Sequence, residues 1–455
     1  MGRMILLISE NAMRELVIRA RSAVREGEAV SCLGRSPRRA TPLLWLLLGL
    51  LGLLPPPLAS AQEPAPLSLD SLLREVVAQS PGAAAEALRA QAMRQAIPRA
   101  KALDDPQITL MTEEVPLGIT GGMPMLRLQA SQMLPWPGKR DRMTRVADRE
   151  SKAAEAKESA VLLDVVTQAK RIYYNLYLNK ESRRINREQR TIADTLVDVV
   201  TGQLASGMPM HHDVLKMQTE VSMLDDELAM LETERREMVA MLNALRDRPA
   251  EEPVGEPLEI WSPEVPLERS ALVPLAIAHR PEVLEMAAMV ESGRAMAEVS
   301  RREFYPDFML GAFYDVRTDA DDTIGAMVTV SIPLWIDSKQ RIDVAMADLR
   351  ANAADRDRIA MEAMVRAEVE QALARLARVK RRSAILETEL LERAQQTFDA
   401  TLAAFPAGKT NVLEILDAMR VVTARRLSQV ALRVERELAL VDLARAVGDK
   451  GEGSQ

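Results

Sequence analysis

The feature that most limits what this chain can become is that it carries nearly the same pattern twice, about 200 residues apart. Pro81 stands 25 residues before Pro106, and Pro281 stands 25 before Pro306. Each second proline is followed by a strand pattern, a loop, another strand pattern and a tryptophan turn, Pro135-Trp136 and Leu334-Trp335. A basic start to a long helix comes next, Lys139-Arg140 and Lys339-Gln340-Arg341. Each long helix ends at a Gly turn, Ser206-Gly207 and Ala407-Gly408, and a shorter helix follows with Asp213-Val214-Leu215 and Glu414-Ile415-Leu416 in register. So many landmarks sharing a displacement of about 200 mark an internal duplication, and argue for one body of two similar halves.

The strands are legible from period-two alternation. Leu126, Leu128 and Ala130 alternate with Arg127, Gln129 and Ser131, as in a strand wet on one face. The same reading gives strands at Pro106–Glu114, Pro124–Leu134, Asp307–Val316 and Ile324–Ile332, each near the length that crosses a bilayer at a tilt. Gln132–Arg140 is the hinge from strand to helix: Pro135 and Pro137 lack ladder donors, and Pro137-Gly138 sets the start of the helix.

Helical patterns cover Leu67–Ser80, Gly82–Ala102 with a soft interruption at Pro98, Lys139–Ala205 and His212–Leu245. The second half repeats them at Leu272–Ala278, Glu282–Glu303, Gln340–Ala404 and Asn411–Ala446. At 1.5 Å per residue the helix from Lys139 would measure roughly 100 Å, a rod that must pack along its length or bridge a distance. Tyr173, Tyr174 and Tyr177 on it read as core packing with exposed hydroxyls. Residues 247–267, with five prolines and several acids, read as a linker against the helical body. The organisation is therefore a first repeat at 62–246, the linker, a second repeat at 268–448 and a tail at 449–455.

Residues 1–61 suit a secretory signal with an extension. Arg35, Arg38 and Arg39 precede the apolar run Leu43–Leu54, and Ala59-Ser60-Ala61 supplies small residues for cleavage. The 34 residues ahead of Arg35 suit either a start codon placed too early or a cytoplasmic extension. Cys32, the one cysteine, precedes the apolar run, so the exported protein is expected to have no disulfide, thiolate metal site or lipid-attachment cysteine. The formal charge of −7 becomes −11 without this segment, and an acidic body argues against nucleic-acid binding.

No later segment reaches 18 apolar residues, so a membrane crossing must use strands. Four strands cannot close a barrel, and an open edge is forbidden in lipid. Copies must share one, and three chains give twelve strands with the long helices continuing on one side.

These features resemble the TolC-like outer membrane efflux factors, from Leu67 to Gly448. The resemblance rests on Leu134-Pro-Trp-Pro-Gly-Lys-Arg140, Leu204-Ala-Ser-Gly-Met208 with Asp213-Val-Leu-Lys216, Glu303-Phe-Tyr-Pro-Asp-Phe308, and Ala404-Phe-Pro-Ala-Gly408 with Leu413-Glu-Ile-Leu-Asp417. It implies a mainly α fold with a small membrane β-barrel: a homotrimer with a twelve-stranded outer membrane barrel continued by a periplasmic α-helical tunnel. It also implies docking to a periplasmic adaptor and an inner-membrane pump. The Pro-Trp-Pro-Gly-Lys form is similar to members serving heavy-metal pumps. A duct for type I protein secretion and a non-channel periplasmic coiled-coil scaffold are the rival readings.

Candidate sites follow from this geometry. Ser206, Gly207, Ala407 and Gly408 would form the helix tips that meet the adaptor. Asp213, Glu414 and Asp417 sit in the first helical turns after them, where carboxylates complement the helix dipole; the resemblance implies an entrance aperture there. Met208, Met210, His211, His212 and Met217 gather thioether and imidazole groups suited to Cu(I) or Ag(I), although Met is also a common gap filler. Asp319, Asp321 and Asp322 read as a solvated outer loop. Trp136 and Trp335 end strands at the expected membrane boundary, where aromatic belts form, or pack as core indoles. No catalytic arrangement appears: His211, His212 and His279 are the only histidines, with no Gly-x-Ser-x-Gly or phosphate loop, and no cofactor is expected.

Overall fold

The computed structural model of the chain describes residues 65–113, 125–204, 211–259, 261–262, 269–317 and 321–449. In the first half, α1 (Leu69–Gln79) and α2 (Pro81–Lys101) precede β1 (Gln107–Glu113) and β2 (Met125–Leu134), then α3 (Lys139–Leu204) and α4 (His211–Leu245). In the second, α5 (Arg269–His279) and α6 (Pro281–Arg302) precede β3 (Asp307–Arg317) and β4 (Thr323–Ser331), then α7 (Gln340–Ile385), α8 (Leu391–Ala404) and α9 (Val412–Val447). A π turn at Leu386–Leu390 joins α7 to α8, so the second rod is not the single α-helix its sequence suggests. Pro98 does not interrupt α2; it lies inside the helix three residues before its end, where little ladder remains to break.

The four strands form one antiparallel sheet in the order β1-β2-β3-β4. Its register puts Leu110 opposite Leu128, Leu128 opposite Tyr314 and Tyr314 opposite Ile324, so the apolar sets share one face. Among the described residues nothing covers that face: Ile108 is 76% exposed, Ile324 83% and Val328 65%. On the opposite face Arg127, Ser131, Met309, Phe313 and Asp315 are half-buried or buried, while Thr109, Met111 and Thr329 toward the two edges stay exposed. The polar face is thus the more covered one at the centre of the sheet, and the apolar face is the bare one. β1 and β4 each have one unpaired edge.

Near the sheet, α3 packs against α2 and α6, and α6 against α7; farther away α3 packs against α4, and α9 lies against both α3 and α7. One apolar core joins Leu72 and Val76 of α1 to Val165, Ile172, Tyr173 and Leu176 of α3, with Val239 and Leu242 of α4 and Val434 and Val441 of α9. The Tyr173 and Tyr174 hydroxyls do not point to solvent. Tyr173 is fully buried and its hydroxyl donates to the Leu258 carbonyl at 2.7 Å, while Tyr177 meets Trp261 edge-on at 5.2 Å.

The linker explains this burial. Its described part forms a parallel bridge between Pro257 and Leu67, buries Val254 and ties to α9 through Ser262, whose hydroxyl donates to the buried Glu437 carboxylate at 2.6 Å. The Tyr174 hydroxyl approaches the same carboxylate at 3.4 Å. A second core, Leu196 and Val200 of α3 with Met217 and Leu224 of α4 and Phe398, Phe405, Ile415 and Met419, closes the end of the helices away from the sheet.

Candidate functional site

Two regions carry the function expected of this fold: the sheet and the distal helix tips. At the second tip, α8 tightens into a 3-10 turn at Phe405–Ala407, and Gly408 takes φ 66° and ψ 18°. That left-handed backbone reverses the chain and costs glycine nothing. The Gly408 amide donates to the Phe405 carbonyl at 2.9 Å, and the buried Phe405 ring anchors the turn in the tip core. Asn411 then caps α9, accepting from the Glu414 amide at 3.0 Å while its own amide donates to Glu414 Oε1 at 3.1 Å. The Thr410 hydroxyl also reaches the Glu414 carboxylate. Glu414 is therefore held as the partner of a helix cap. Asp417, one turn on, is exposed beside a groove lined by Thr397, Thr401, Leu413 and Val421.

At the first tip, Ser206, Gly207, Met208 and Met210 lie outside the described residues. His211 and His212 begin α4 exposed, with His212 Nε2 3.2 Å from Asp213 Oδ1. Lys216 also approaches Asp213, at 3.8 Å. Met217 is separate from these groups, being 1% exposed in the tip core. Among the described residues, no group of three or more His, Cys, Asp or Glu side chains converges as a metal site would. A polar pair the sequence did not single out bridges the two tip hairpins: Glu220 of α4, buried, accepts from Arg420 Nε of α9 at 3.1 Å through each oxygen. Helical charge patterns hide such a pair, because Glu220 reads like any other acid on a solvated face.

At the sheet, the two tryptophan turns differ. Trp136 stacks on Tyr305 at 5.0 Å and Phe308 at 5.8 Å, its amide donates to Asp307 Oδ1 at 2.8 Å, and Lys139 Nζ donates to Asp307 Oδ2 at 3.0 Å. Trp335, in contrast, is 73% exposed. On the polar face Arg127 donates to both oxygens of the buried Asp315, at 2.7 and 3.0 Å, and its guanidinium lies 4.6 Å from the Phe313 ring centre. Alternation predicts Arg127 and Asp315 on this face, but no rule of alternation predicts an aromatic there. Of the outer-loop acids, Asp319 lies outside the described residues. Asp321 is exposed, and Asp322 is engaged in its own hairpin, accepting from the Tyr314 hydroxyl at 2.5 Å and the Arg317 amide at 3.2 Å.

A sheet with a bare apolar face, a polar face and two free edges, continued by rods far too long for a globular core, narrows the choice to one architecture. The sequence model for "Outer membrane efflux protein" matches residues 272–449, which is nearly the whole second repeat. Over these residues the chain matches the outer membrane efflux protein family. The cobalt-zinc-cadmium resistance protein CzcC of Cupriavidus metallidurans is 23% identical over 415 residues, covering 86% of this chain and 92% of that one. The pyoverdine export outer membrane protein OpmQ of Pseudomonas aeruginosa is 23% identical over 343 residues, 70% of this chain and 69% of that one.

The fold matches crystal structures of the channel CusC, with a TM-score of 0.75 at 17% identity over 83% of this chain and 91% of that one. It also matches VceC of Vibrio cholerae, with a TM-score of 0.72 at 17% identity over 84% and 96%. The chain is an outer membrane channel, with its helices on the periplasmic side. Among its described residues no helix is long and apolar enough to cross a membrane.

Proposed function

We propose that three copies of this channel close one twelve-stranded barrel and that the trimer serves as the passive exit duct of a metal-cation efflux system. The observation that carries the trimer is the sheet: β1 and β4 have unpaired edges, and lipid tolerates none. Joining β4 of one copy to β1 of the next satisfies every edge and turns the polar face into a lumen. The duct does no chemistry. Its tunnel is closed at the distal tips by helix contacts, and it opens when an adaptor carrying cargo from an inner-membrane pump docks at the turns around Ser206-Gly207 and Ala407-Gly408.

Metal cations are the cargo class supported by the relative named for cobalt, zinc and cadmium resistance, whose length is almost wholly covered. An acidic body and the exposed carboxylate of Asp417 near the tip suit a cationic cargo, since fixed like-signed charge around an opening raises the local concentration of counter-ions. Asp213 and Glu414, both tied to their own helix starts, contribute fixed negative charge at the same end.

The test is single-channel recording of the purified protein in a planar bilayer, with chemical crosslinking to count chains. Small cation-selective openings from a species of three chains are expected. A protein that stays soluble without detergent and gives no conductance would sink the duct and favour a periplasmic scaffold.

A further inference from the structure

We infer that Phe313 sets the aperture of the barrel lumen and that Gly325 and Arg127 hold its ring back against the wall; this deepens the duct reading and depends on it. Phe313 belongs to the polar face of the sheet, the face that becomes the lumen when the edges join. A phenyl group extended from that position would stand in the water-filled path. Instead it leans sideways across the neighbouring strand. Gly325 is its register partner on β4, and a Cβ built there would lie 2.2 Å from the Phe313 Cζ. No Cβ comes that close, so the ring occupies the space that any other residue at position 325 would fill. The opposite flank is closed by the Arg127 guanidinium, 4.6 Å from the ring centre and itself fixed by two hydrogen bonds to Asp315. Glycine supplies the seat and arginine the clasp.

Folding an aromatic over a cross-strand glycine also protects a bare stretch of strand backbone. That structural benefit alone would arise equally on the lipid face. What gives the arrangement a functional consequence is its location. Eight strands leave a barrel interior just wide enough for side chains, and sixteen leave an open channel, so a lumen of twelve lies between them. There, three rings at one level, one from each copy, decide between a passage and a constriction.

The experiment uses the full trimer in planar bilayers and compares wild type, Gly325→Ala, Phe313→Ala and the double variant, each first checked by crosslinking for three chains. The clash at Gly325 is with the far end of a side chain and not with backbone, and the ring can swing away about its χ1 at the cost of the Arg127 contact, so Gly325→Ala is expected to assemble. Tipping the rings inward should lower its conductance about twofold or more, because pore diameter limits conduction. Phe313→Ala should conduct at or slightly above the wild-type level, and the double variant should recover that level. Wild-type conductance in Gly325→Ala, or a loss that Phe313→Ala fails to restore, would overturn the role of Phe313 and leave the duct standing. Absence of conductance in the wild type would instead remove the duct and this inference with it.

Discussion

The rod of the first half, α3, runs unbroken for 66 residues, whereas its counterpart passes from α7 through a π turn at Leu386–Leu390 before resuming as α8. The two halves differ in length at this point. From Lys139 to Gly207 is 68 residues, and from Lys339 to Gly408 is 69. One extra residue in an α-helix rotates everything beyond it by about 100°, which would turn the tip core to solvent. A π turn takes up that residue locally, and Ala394, Phe398 and Phe405 stay in the core beside Ile415 and Met419. The lesson is that the repeat fixes where faces point more strictly than it fixes backbone geometry.

The comparison can be broken by shortening each rod. Deleting the exposed Arg187 from α3 has no turn to absorb it, and should rotate Ala193, Leu196 and Val200 out of the tip core, with loss of trimer on native gels. Deleting Thr388 should let the π turn relax to α-helix and leave assembly close to wild type. Equal damage from both deletions would show that the π turn does not compensate for the extra residue.

A smaller effect separates the two tryptophan turns. Trp136 has its neighbours within its own chain, because β2 is flanked by β3, whereas Trp335 follows the edge strand β4 and stands bare with Leu334. Trp136→Ala should therefore destabilise the single chain by about 3 kcal/mol, the lower end for a large aromatic truncation since the ring is only half-buried. Trp335→Ala should leave the chain's urea midpoint unchanged and reduce the crosslinked trimer in detergent. A drop in the chain's own midpoint on removing Trp335 would contradict an assembly role for that turn.

Much of this was readable from the residues. The duplication, all four strands and the outer bounds of the helices are legible to within a few residues, because periods of two and 3.6 are strong over long stretches, but the division of the second rod is not. The fate of particular side chains was harder to read. Periodicity assigns a face, but not what covers it, so Phe313 over Gly325, Asp307 clasping Trp136 and Lys139, and Glu220 reaching Arg420 required the register between strands and the packing of the helices. The π turn had left a trace, the one-residue difference between the rods, but an offset does not say where it is absorbed. Helical spacing puts the tyrosine cluster in the core, but no pattern within α3 reveals that the linker returns over it and takes the Tyr173 hydroxyl, or that Glu437 of α9 meets that of Tyr174.

That cluster gives the smallest effect and the last contrast between the halves. Two hundred residues after Tyr173, Tyr174 and Tyr177 stand Leu373, Ala374 and Ala377, so only the first half carries phenols under the linker. Burial pushes the Tyr173 hydroxyl up to about 12, from an ordinary value of 10.0. A group whose folded value is raised adds stability that is fully present below the unfolded value and is lost as pH climbs through the folded one. The fold should thus be insensitive to Tyr173 up to about pH 10 and weaken between about 10 and 12, when the unfolded chain has released a proton that the folded chain still holds. Tyr173→Phe should cost about 1 kcal/mol at neutral pH, through the lost bond to the Leu258 carbonyl, and should flatten the alkaline decline. Thermal unfolding of both proteins in detergent from pH 8 to 12 measures this; an equally steep decline in the variant would mean that the linker is released by other groups and that the buried hydroxyl is not what ties it to α3.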